Sequence, residues 1–120
     1  MKKILIVEDM ELNIDLLKQL LEDEYELIVA QDGEQGVALA NRERPDLVLM
    51  DMSLPVIDGW EATKRIHSNS ALSQIPIIAL SAHAMQSDVD RALAVGCVDY
   101  LTKPVDDTLL FEKLNRYLGK

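Results

Sequence analysis

The chain of 120 residues has the length of one domain and leaves no room for a second domain with its own core. Hydrophobic residues make up 48% and charged residues 28%, which is typical of globular proteins and unlike disordered or membrane-embedded chains. The formal net charge of −9 disfavours direct binding to nucleic acid or to an anionic bilayer, because like charges repel.

The first residues and the cysteine content indicate the cellular compartment. Cys97 is the only cysteine, so an internal disulfide is excluded. After the initial Met-Lys-Lys only four apolar residues, 4–7, come before Glu8 and Asp9, which is too short a run for a signal peptide. The longest apolar run, residues 75–82, falls far short of the roughly 18 residues that cross a bilayer. We therefore predict a single cytoplasmic domain over residues 1–120.

Short apolar runs alternate with segments of helical periodicity along the chain. The runs are rich in Val and Ile and have the length of strands that are buried on both faces. They cover residues 4–7, 27–30, 47–50, 77–80 and 98–101, and the helical segments cover 12–21, 36–40, 62–66, 89–95 and 110–118. Five strand–helix units predict an α/β fold, a doubly wound five-stranded parallel sheet with helices on both faces. We expect the flavodoxin-like strand order 2-1-3-4-5.

Polar residues stand where the predicted strands end. Glu8 and Asp9 follow the first strand, Asp51 the third, Ser81 the fourth, and Lys103 the fifth. Ligands of such sheets bind beyond the carboxyl ends of the strands, at the point where the strand order reverses. If the first and third strands are neighbours, the carboxylates of Asp9 and Asp51 reach a common point. Carboxylates that close together require a neutralising cation, and hard oxygen ligands favour Mg²⁺.

The same residues suit chemistry at phosphorus. Lys103 supplies a second positive charge, and Ser81 supplies a neutral hydrogen-bond donor. A carboxylate flanked by a metal and an ammonium group can attack phosphorus, because both cations stabilise the charge of the transferring phosphoryl group. We therefore predict that Asp51 is the nucleophile.

Four ordered blocks of the sequence, residues 4–9, 45–59, 76–82 and 99–104, resemble the receiver domain of two-component response regulators. The resemblance implies that Asp51 is phosphorylated by a histidine kinase or a histidine phosphotransfer protein. It implies that Asp9, Asp51 and the backbone carbonyl of Ser53 bind Mg²⁺ directly, while Glu8 acts through a coordinated water. The protein would then be a switch that signals by protein contacts, without an output domain, and that catalyses only phosphotransfer to its own aspartate and its hydrolysis.

The resemblance also implies how the switch operates. Ser81 and Lys103 would contact the phosphoryl oxygens, and Ser81 would move towards them. Tyr100 would turn inward into the space that Ser81 leaves, so these two residues form the predicted switch. The peptide bond between Lys103 and Pro104 would be cis and would direct Lys103 into the site.

Three other functions compete with this interpretation. A phosphohydrolase of the haloacid dehalogenase class would need an acid two residues after its nucleophile, where this chain has Ser53. A flavin carrier would need a first loop rich in Ser, Thr and Gly, whereas residues 8–11 are largely acidic and would repel phosphate. A degenerate receiver that serves only for docking would not need Asp9, Asp51, Ser81 and Lys103 together.

The first helical segment carries more apolar residues than core contact requires. Six of them spread over about 200°, twice the width of the usual buried stripe; they are Leu12, Ile14, Leu16, Leu17, Leu20 and Leu21. Part of this face should be exposed, and an exposed apolar patch often marks a partner surface. We predict that it docks the helices of the phosphodonor, so that charges introduced at Ile14 and Leu17 would slow phosphotransfer.

Overall fold

The computed structural model describes residues 1–83 and 85–119, in which five strands alternate with five helices. The strands are β1 (Lys3–Val7), β2 (Glu26–Ala30), β3 (Leu47–Asp51), β4 (Ile77–Ser81) and β5 (Asp99–Thr102). The helices are α1 (Glu11–Leu21), α2 (Gly33–Glu43), α3 (Gly59–Ser68), α4 (Gln86–Val95) and α5 (Asp107–Leu118). Among the described residues, no helix is long and apolar enough to cross a membrane.

All neighbouring strands are parallel, in the order β2-β1-β3-β4-β5, which confirms the predicted fold class and strand order. Strand β1 pairs with both β2 and β3, so the strand order reverses at β1. The loops that follow β1 and β3 therefore diverge to opposite faces of the sheet and leave a crevice between them. This crevice positions the residues that were predicted to form the site.

The core consists of two layers, one on each face of the sheet. Successive residues of β1 alternate between them: Leu5 and Val7 pack with residues of α2, α3 and α4, whereas Ile4 and Ile6 pack with residues of α1 and α5. Because both faces are covered, all residues of the central strands β3 and β4 are buried, which explains why these strands read as nearly continuous apolar runs.

Aspartates begin three of the helices. The side chains of Asp32, Asp58 and Asp106 accept hydrogen bonds from backbone N–H groups in the first turns of α2, α3 and α5. Such caps satisfy donors that have no partner within the helix. Each of these helices starts three residues before the segment predicted from periodicity, because a polar first turn carries no apolar repeat.

Helix α4 is the most loosely anchored helix of the fold. Ala92 is the only residue of α4 that is buried, whereas each of the other helices buries at least two. Its N-cap residue, Met85, makes no side-chain capping hydrogen bond and is largely exposed. The position of α4 on the sheet therefore depends on few contacts.

Asp99 joins β5 to α5. Its carboxylate accepts hydrogen bonds from the Lys113 ammonium at 2.7 Å, the Tyr117 hydroxyl at 2.9 Å and the backbone N–H of Tyr100 at 2.8 Å. Burial alone would raise the pKa of Asp99, but these bonds together lower it below the ordinary value.

We expect Asp99→Asn to lower the free energy of unfolding by about 1–2 kcal/mol at neutral pH, because the charge-assisted bonds are lost. A lowered pKa stabilises the fold above the pKa of the unfolded chain, near 3.9, and this contribution disappears as the pH falls through the folded-state value. Denaturant titrations from pH 7 to about 3 should therefore show the two proteins converging. The exposed Asp23 is a suitable control for substitution to Asn, and a difference independent of pH at Asp99 would contradict this account.

Candidate active site

Three carboxylates meet at the crevice between β1 and β3. Glu8 and Asp9 follow β1, Asp51 ends β3, and the pairing of Val7 with Met50 brings these chain positions side by side. One carboxylate oxygen from each of the three lies within 4.8 Å of the others. Glu8 and Asp51 are buried, whereas Asp9 is exposed and opens the cluster to solvent.

Lys103 places its ammonium group between the two buried acids. Its Nζ lies 2.8 Å from Glu8 Oε1 and 3.2 Å from Asp51 Oδ2. The backbone N–H of Lys103 donates to the carbonyl oxygen of Ser81 at 2.7 Å, and the peptide bond to Pro104 is cis. One cation therefore faces three carboxylates, and negative charge remains in excess.

The pKa values of the buried pair reflect this excess. Burial raises the pKa of Glu8, and the hydrogen bond from Lys103 opposes that rise without cancelling it, while the charge of Asp51 adds to it. Burial alone would lower the pKa of Lys103, but Glu8 and Asp51 together raise it. The ammonium is thus held in its charged form beside acids that repel one another.

The donor set fits Mg²⁺. Three carboxylates supply hard oxygen atoms, and the excess of negative charge favours a divalent cation. Both oxygens of Glu8 already have partners, since Oε1 faces Lys103 and Oε2 accepts the N–H groups of Asp9 and Met10 at 3.1 and 3.2 Å. With three contacts Glu8 is suited to a role through water, whereas each oxygen of Asp51 has a single partner and keeps a lone pair for a cation.

The backbone also orients Asp51. The N–H of Ser53 donates to Asp51 Oδ1 at 3.1 Å, while Oδ2 faces Lys103. The two carboxylate oxygens consequently have different partners, which fixes the plane of the carboxylate. Ser53 itself is exposed in the loop that follows β3.

His83 connects the two predicted switch residues through its backbone. The hydroxyl oxygen of Ser81, which is buried, accepts the N–H of His83 at 3.2 Å. The hydroxyl of Tyr100 donates to the carbonyl oxygen of His83. Sequence reasoning named Ser81 and Tyr100 but missed His83, because a bond made by the backbone leaves no signal in the side-chain sequence.

The exposed part of α1 differs from the positions named in the sequence analysis. Ile14 and Leu17 are buried against the sheet, whereas Leu12 and Leu16 are 68% and 50% exposed. An apolar face does lie open to solvent, as predicted, but Ile14 and Leu17 are the wrong positions for testing it. A charge there would disrupt the core, so Leu12 and Leu16 are the appropriate sites.

The loop after β3 contains an unusual backbone conformation. Val56 has φ 70°, in the left-handed region that β-branched residues rarely adopt, and its side chain is 71% exposed. The preceding carbonyl, of Pro55, accepts the N–H of Gly33 at 3.4 Å, which ties this loop to the start of α2. This hydrogen bond fixes the loop at the residue before Val56. The strained residue therefore lies in an anchored part of the loop, five residues after Asp51.

Val56→Gly should raise the free energy of unfolding by about 0.5–1 kcal/mol. Left-handed backbone costs an L-residue about 1–2 kcal/mol, which glycine avoids. Roughly half of this gain is lost, because glycine raises the entropy of the unfolded chain. Urea denaturation measures the difference. Val98→Gly is the control, because Val98 is exposed without a positive φ and glycine should destabilise the protein there. A less stable Val56→Gly variant would show that no strain is relieved.

Comparison with known proteins assigns the family. A family model described as the response regulator receiver domain matches residues 4–115, which include all five strands and the acidic cluster. The chain is a response-regulator receiver domain. This receiver is 41% identical over 119 residues to the polar-differentiation response regulator DivK of Brucella anthropi, covering 98% of this chain and 97% of that protein. It therefore belongs to the switches of two-component signalling.

Solved structures of other receivers have the same fold. The receiver domain of the sensor histidine kinase PA1611 from Pseudomonas aeruginosa, with a magnesium ion coordinated in its active-site cleft, gives a TM-score of 0.91 at 39% identity and covers 99% of this chain and 98% of that one. A chain in the co-crystal of the Saccharomyces cerevisiae histidine phosphotransfer protein Ypd1 with the receiver domain of Ssk1 gives a TM-score of 0.90 at 32% identity and covers 97% and 88%. The receiver of PA1611 thus binds a magnesium ion, and the receiver of Ssk1 binds the phosphotransfer protein Ypd1.

Proposed function

We propose that this receiver accepts a phosphoryl group on Asp51 from a histidine kinase or a histidine phosphotransfer protein and then signals through protein contacts. The observation that carries the proposal is the position of Asp51 within 3.2 Å of the Lys103 ammonium and in one cluster with Glu8 and Asp9. A buried carboxylate beside two others is destabilising unless cations compensate its charge. A site that binds cations and phosphoryl oxygens accounts for its presence there.

The proposed reaction is an in-line displacement at phosphorus. An oxygen of Asp51 forms the new P–O bond while the P–N bond of the donor phosphohistidine breaks, and the electron pair returns to the imidazole nitrogen. Lys103 and the hydroxyl of Ser81 bind the phosphoryl oxygens. Water later attacks the phosphorus of the aspartyl phosphate, the bond from phosphorus to the Asp51 oxygen breaks, and inorganic phosphate leaves while the carboxylate is restored. This hydrolysis is the only other reaction that we assign to the protein.

We assign Mg²⁺ to Asp9, Asp51 and the backbone carbonyl of Ser53, with Glu8 acting through a bound water. When bound, the ion neutralises the negative charge that would otherwise repel an incoming phosphoryl group. The exposure of Asp9 supports this assignment, because the cluster is open to solvent on that side. The magnesium ion in the related receiver of PA1611 supports it as well.

Phosphorylation changes the surface through His83 in this proposal. When Ser81 turns its hydroxyl towards the phosphoryl group, its hydrogen bond with the N–H of His83 is given up. Tyr100 binds the carbonyl oxygen of the same residue, so the two switch residues are coupled through a single peptide segment. The backbone at His83 therefore responds to the state of Asp51.

The phosphodonor docks beside the site in this proposal. Leu12 and Leu16 lie exposed on α1, and Met10, also exposed, lies in the loop next to Asp9. These exposed apolar side chains follow Asp9 closely in the chain, and exposed apolar side chains beside an acidic site suit contact with the helices of a phosphodonor. The co-crystal of Ypd1 with a receiver supports a helical phosphotransfer protein as the donor.

Acetyl phosphate with Mg²⁺ tests the proposed function without a cognate kinase. We expect intact mass spectrometry to show the addition of a single phosphoryl group to the wild-type protein. Phosphoramidate serves as a second small donor, because its different charge guards against a failure specific to acetyl phosphate. If neither donor modifies the protein, the chain acts as a docking module and the proposal is wrong.

The role of Asp9 predicts how Mg²⁺ affects stability. Saturating Mg²⁺ should stabilise the wild type by RT ln(1 + [L]/Kd), about 2.7 kcal/mol at a hundredfold excess over Kd. Asp9→Asn should remove most of this effect, while stabilising the metal-free protein slightly because repulsion in the cluster is relieved. Thermal unfolding with and without Mg²⁺ measures both changes. Asp32→Asn keeps a capping side chain and should retain the Mg²⁺ effect, whereas full stabilisation of Asp9→Asn by Mg²⁺ would contradict the assignment.

A further inference from the structure

A contact between one aromatic and one cationic side chain joins α3 to α4. The guanidinium carbon of Arg91, in the middle of α4, lies 4.2 Å from the centroid of the Trp60 ring, in the first turn of α3. This distance is within the range of cation–π attraction. Since α4 buries only Ala92, this contact adds to the few that hold α4 beside α3.

The two helices that carry this contact are anchored to the sheet very differently. Helix α3 begins directly against the phosphoacceptor strand: the N–H of Gly59 donates to the carbonyl of Met52 at 3.1 Å. A Cβ atom at Gly59 would lie 2.2 Å from the carbonyl oxygen of Asp51, so the two backbones touch. Trp60 is therefore attached to the fixed part of the molecule, whereas Arg91 lies on the loosely held helix.

The start of α4 is connected to the site by a short loop. Ser81 ends β4, its hydroxyl accepts the N–H of His83, and α4 begins at Gln86. Any displacement of the Ser81 hydroxyl towards Asp51 frees this N–H of His83, three residues before the start of α4. The N-terminus of α4 offers little resistance, because Met85 provides no capping side chain.

We propose that Trp60 and Arg91 form a clasp that holds α4 in its unphosphorylated position and that opens when Asp51 is phosphorylated. This inference rests on the proposed function and assigns Arg91 as a positioning residue of the switch. The clasp stabilises only one of the two states, so its removal shifts the equilibrium towards the other. An exposed cation–π contact corresponds to a shift of about twofold to fivefold.

The surroundings of the clasp provide a matched control. Lys64 lines the same cleft between α3 and α4, together with Asp58, Glu61 and Val95. Lys64→Gln removes the same charge from the same cleft as Arg91→Gln but leaves the stacked pair intact. Differences between these variants therefore report the stacking rather than the net charge of the cleft.

Trp60 makes the test direct, because it is the only tryptophan of the chain. Beryllofluoride with Mg²⁺ serves as a mimic of the phosphoryl group on Asp51, and Trp60 emission is recorded during its titration. We expect a change of emission in the wild type and in Lys64→Gln. Arg91→Gln should show a much smaller change and should reach half-saturation at about two- to fivefold less beryllofluoride, with Arg91→Lys in between.

The outcomes separate the clasp from the proposed function. If acetyl phosphate fails to modify the wild type, the proposed function is wrong. If the wild type is phosphorylated but its Trp60 emission is constant, or if Arg91→Gln titrates like the wild type, the clasp alone is wrong. Far-ultraviolet circular dichroism establishes that Arg91→Gln is folded before it is titrated.

Discussion

Asp51→Asn is expected to abolish phosphorylation by acetyl phosphate completely. The amide oxygen can still accept the N–H of Ser53, but the amide group is too weak a nucleophile to form the P–O bond. The substitution also removes one charge from a crowded acidic cluster, so the fold should be at least as stable as that of the wild type. Intact mass spectrometry after incubation with Mg²⁺ and donor measures the result.

A matched aspartate makes this experiment specific. Asp58 lies in the loop after the same strand and caps α3 by accepting the N–H of Glu61, a bond that asparagine can also make. Asp58→Asn should therefore be phosphorylated like the wild type. A phosphoryl group found on Asp51→Asn would mean that another residue is the acceptor, and the proposed roles of the cluster would have to be reassigned.

Lys103→Ala is expected to have the largest effect on stability. It leaves Glu8, which is fully buried, and Asp51 without the ammonium that separates them. Removing one partner of a buried ion pair costs about 3–5 kcal/mol, and the partial exposure of Lys103 places our expectation near 3 kcal/mol for the metal-free protein. Urea denaturation should show this loss, and Mg²⁺ should restore part of it, because the ion neutralises the same carboxylates.

The pH dependence of stability and two further substitutions test why Lys103→Ala lowers the stability. Burial raises the pKa of Glu8, and a carboxyl group with a raised pKa stabilises the fold in its protonated form, so stability is gained as the pH falls towards that pKa. The penalty of Lys103→Ala should therefore shrink from pH 7 towards pH 5. Lys103→Met keeps the volume of the side chain and should be nearly as unstable, whereas adding Glu8→Gln should recover much of the stability. A double variant as unstable as Lys103→Met would show that the unpaired charge of Glu8 is not the cause of the loss.

The sequence predicted the architecture well because burial on both faces leaves a direct mark. The central strands β1, β3 and β4 contain continuous apolar runs, and the polar residues Asp51 and Ser81 occur where the runs of β3 and β4 end. Parallel strands place such ends at one edge of the sheet, so the proximity of Glu8, Asp9 and Asp51 could be expected.

The orientation of α1 could not be predicted in the same way. Its apolar residues cover so wide an arc that periodicity alone does not say which of them face the sheet. The structure buries Ile14 and Leu17 and exposes Leu12 and Leu16, because the position of the helix on the sheet selects the buried side. The patch proposed to bind the phosphodonor was therefore expected on the right helix but at the wrong residues.

What the sequence determined by itself is the set of local patterns: five strand–helix units and the residues that end each strand. Only the tertiary structure decided which of these residues meet. The ammonium of Lys103 lies beside Glu8, 95 positions earlier in the chain, and Arg91 covers the ring of Trp60. Periodicity records how each segment contacts the core, but contacts between distant side chains arise only when the packed layers bring them together.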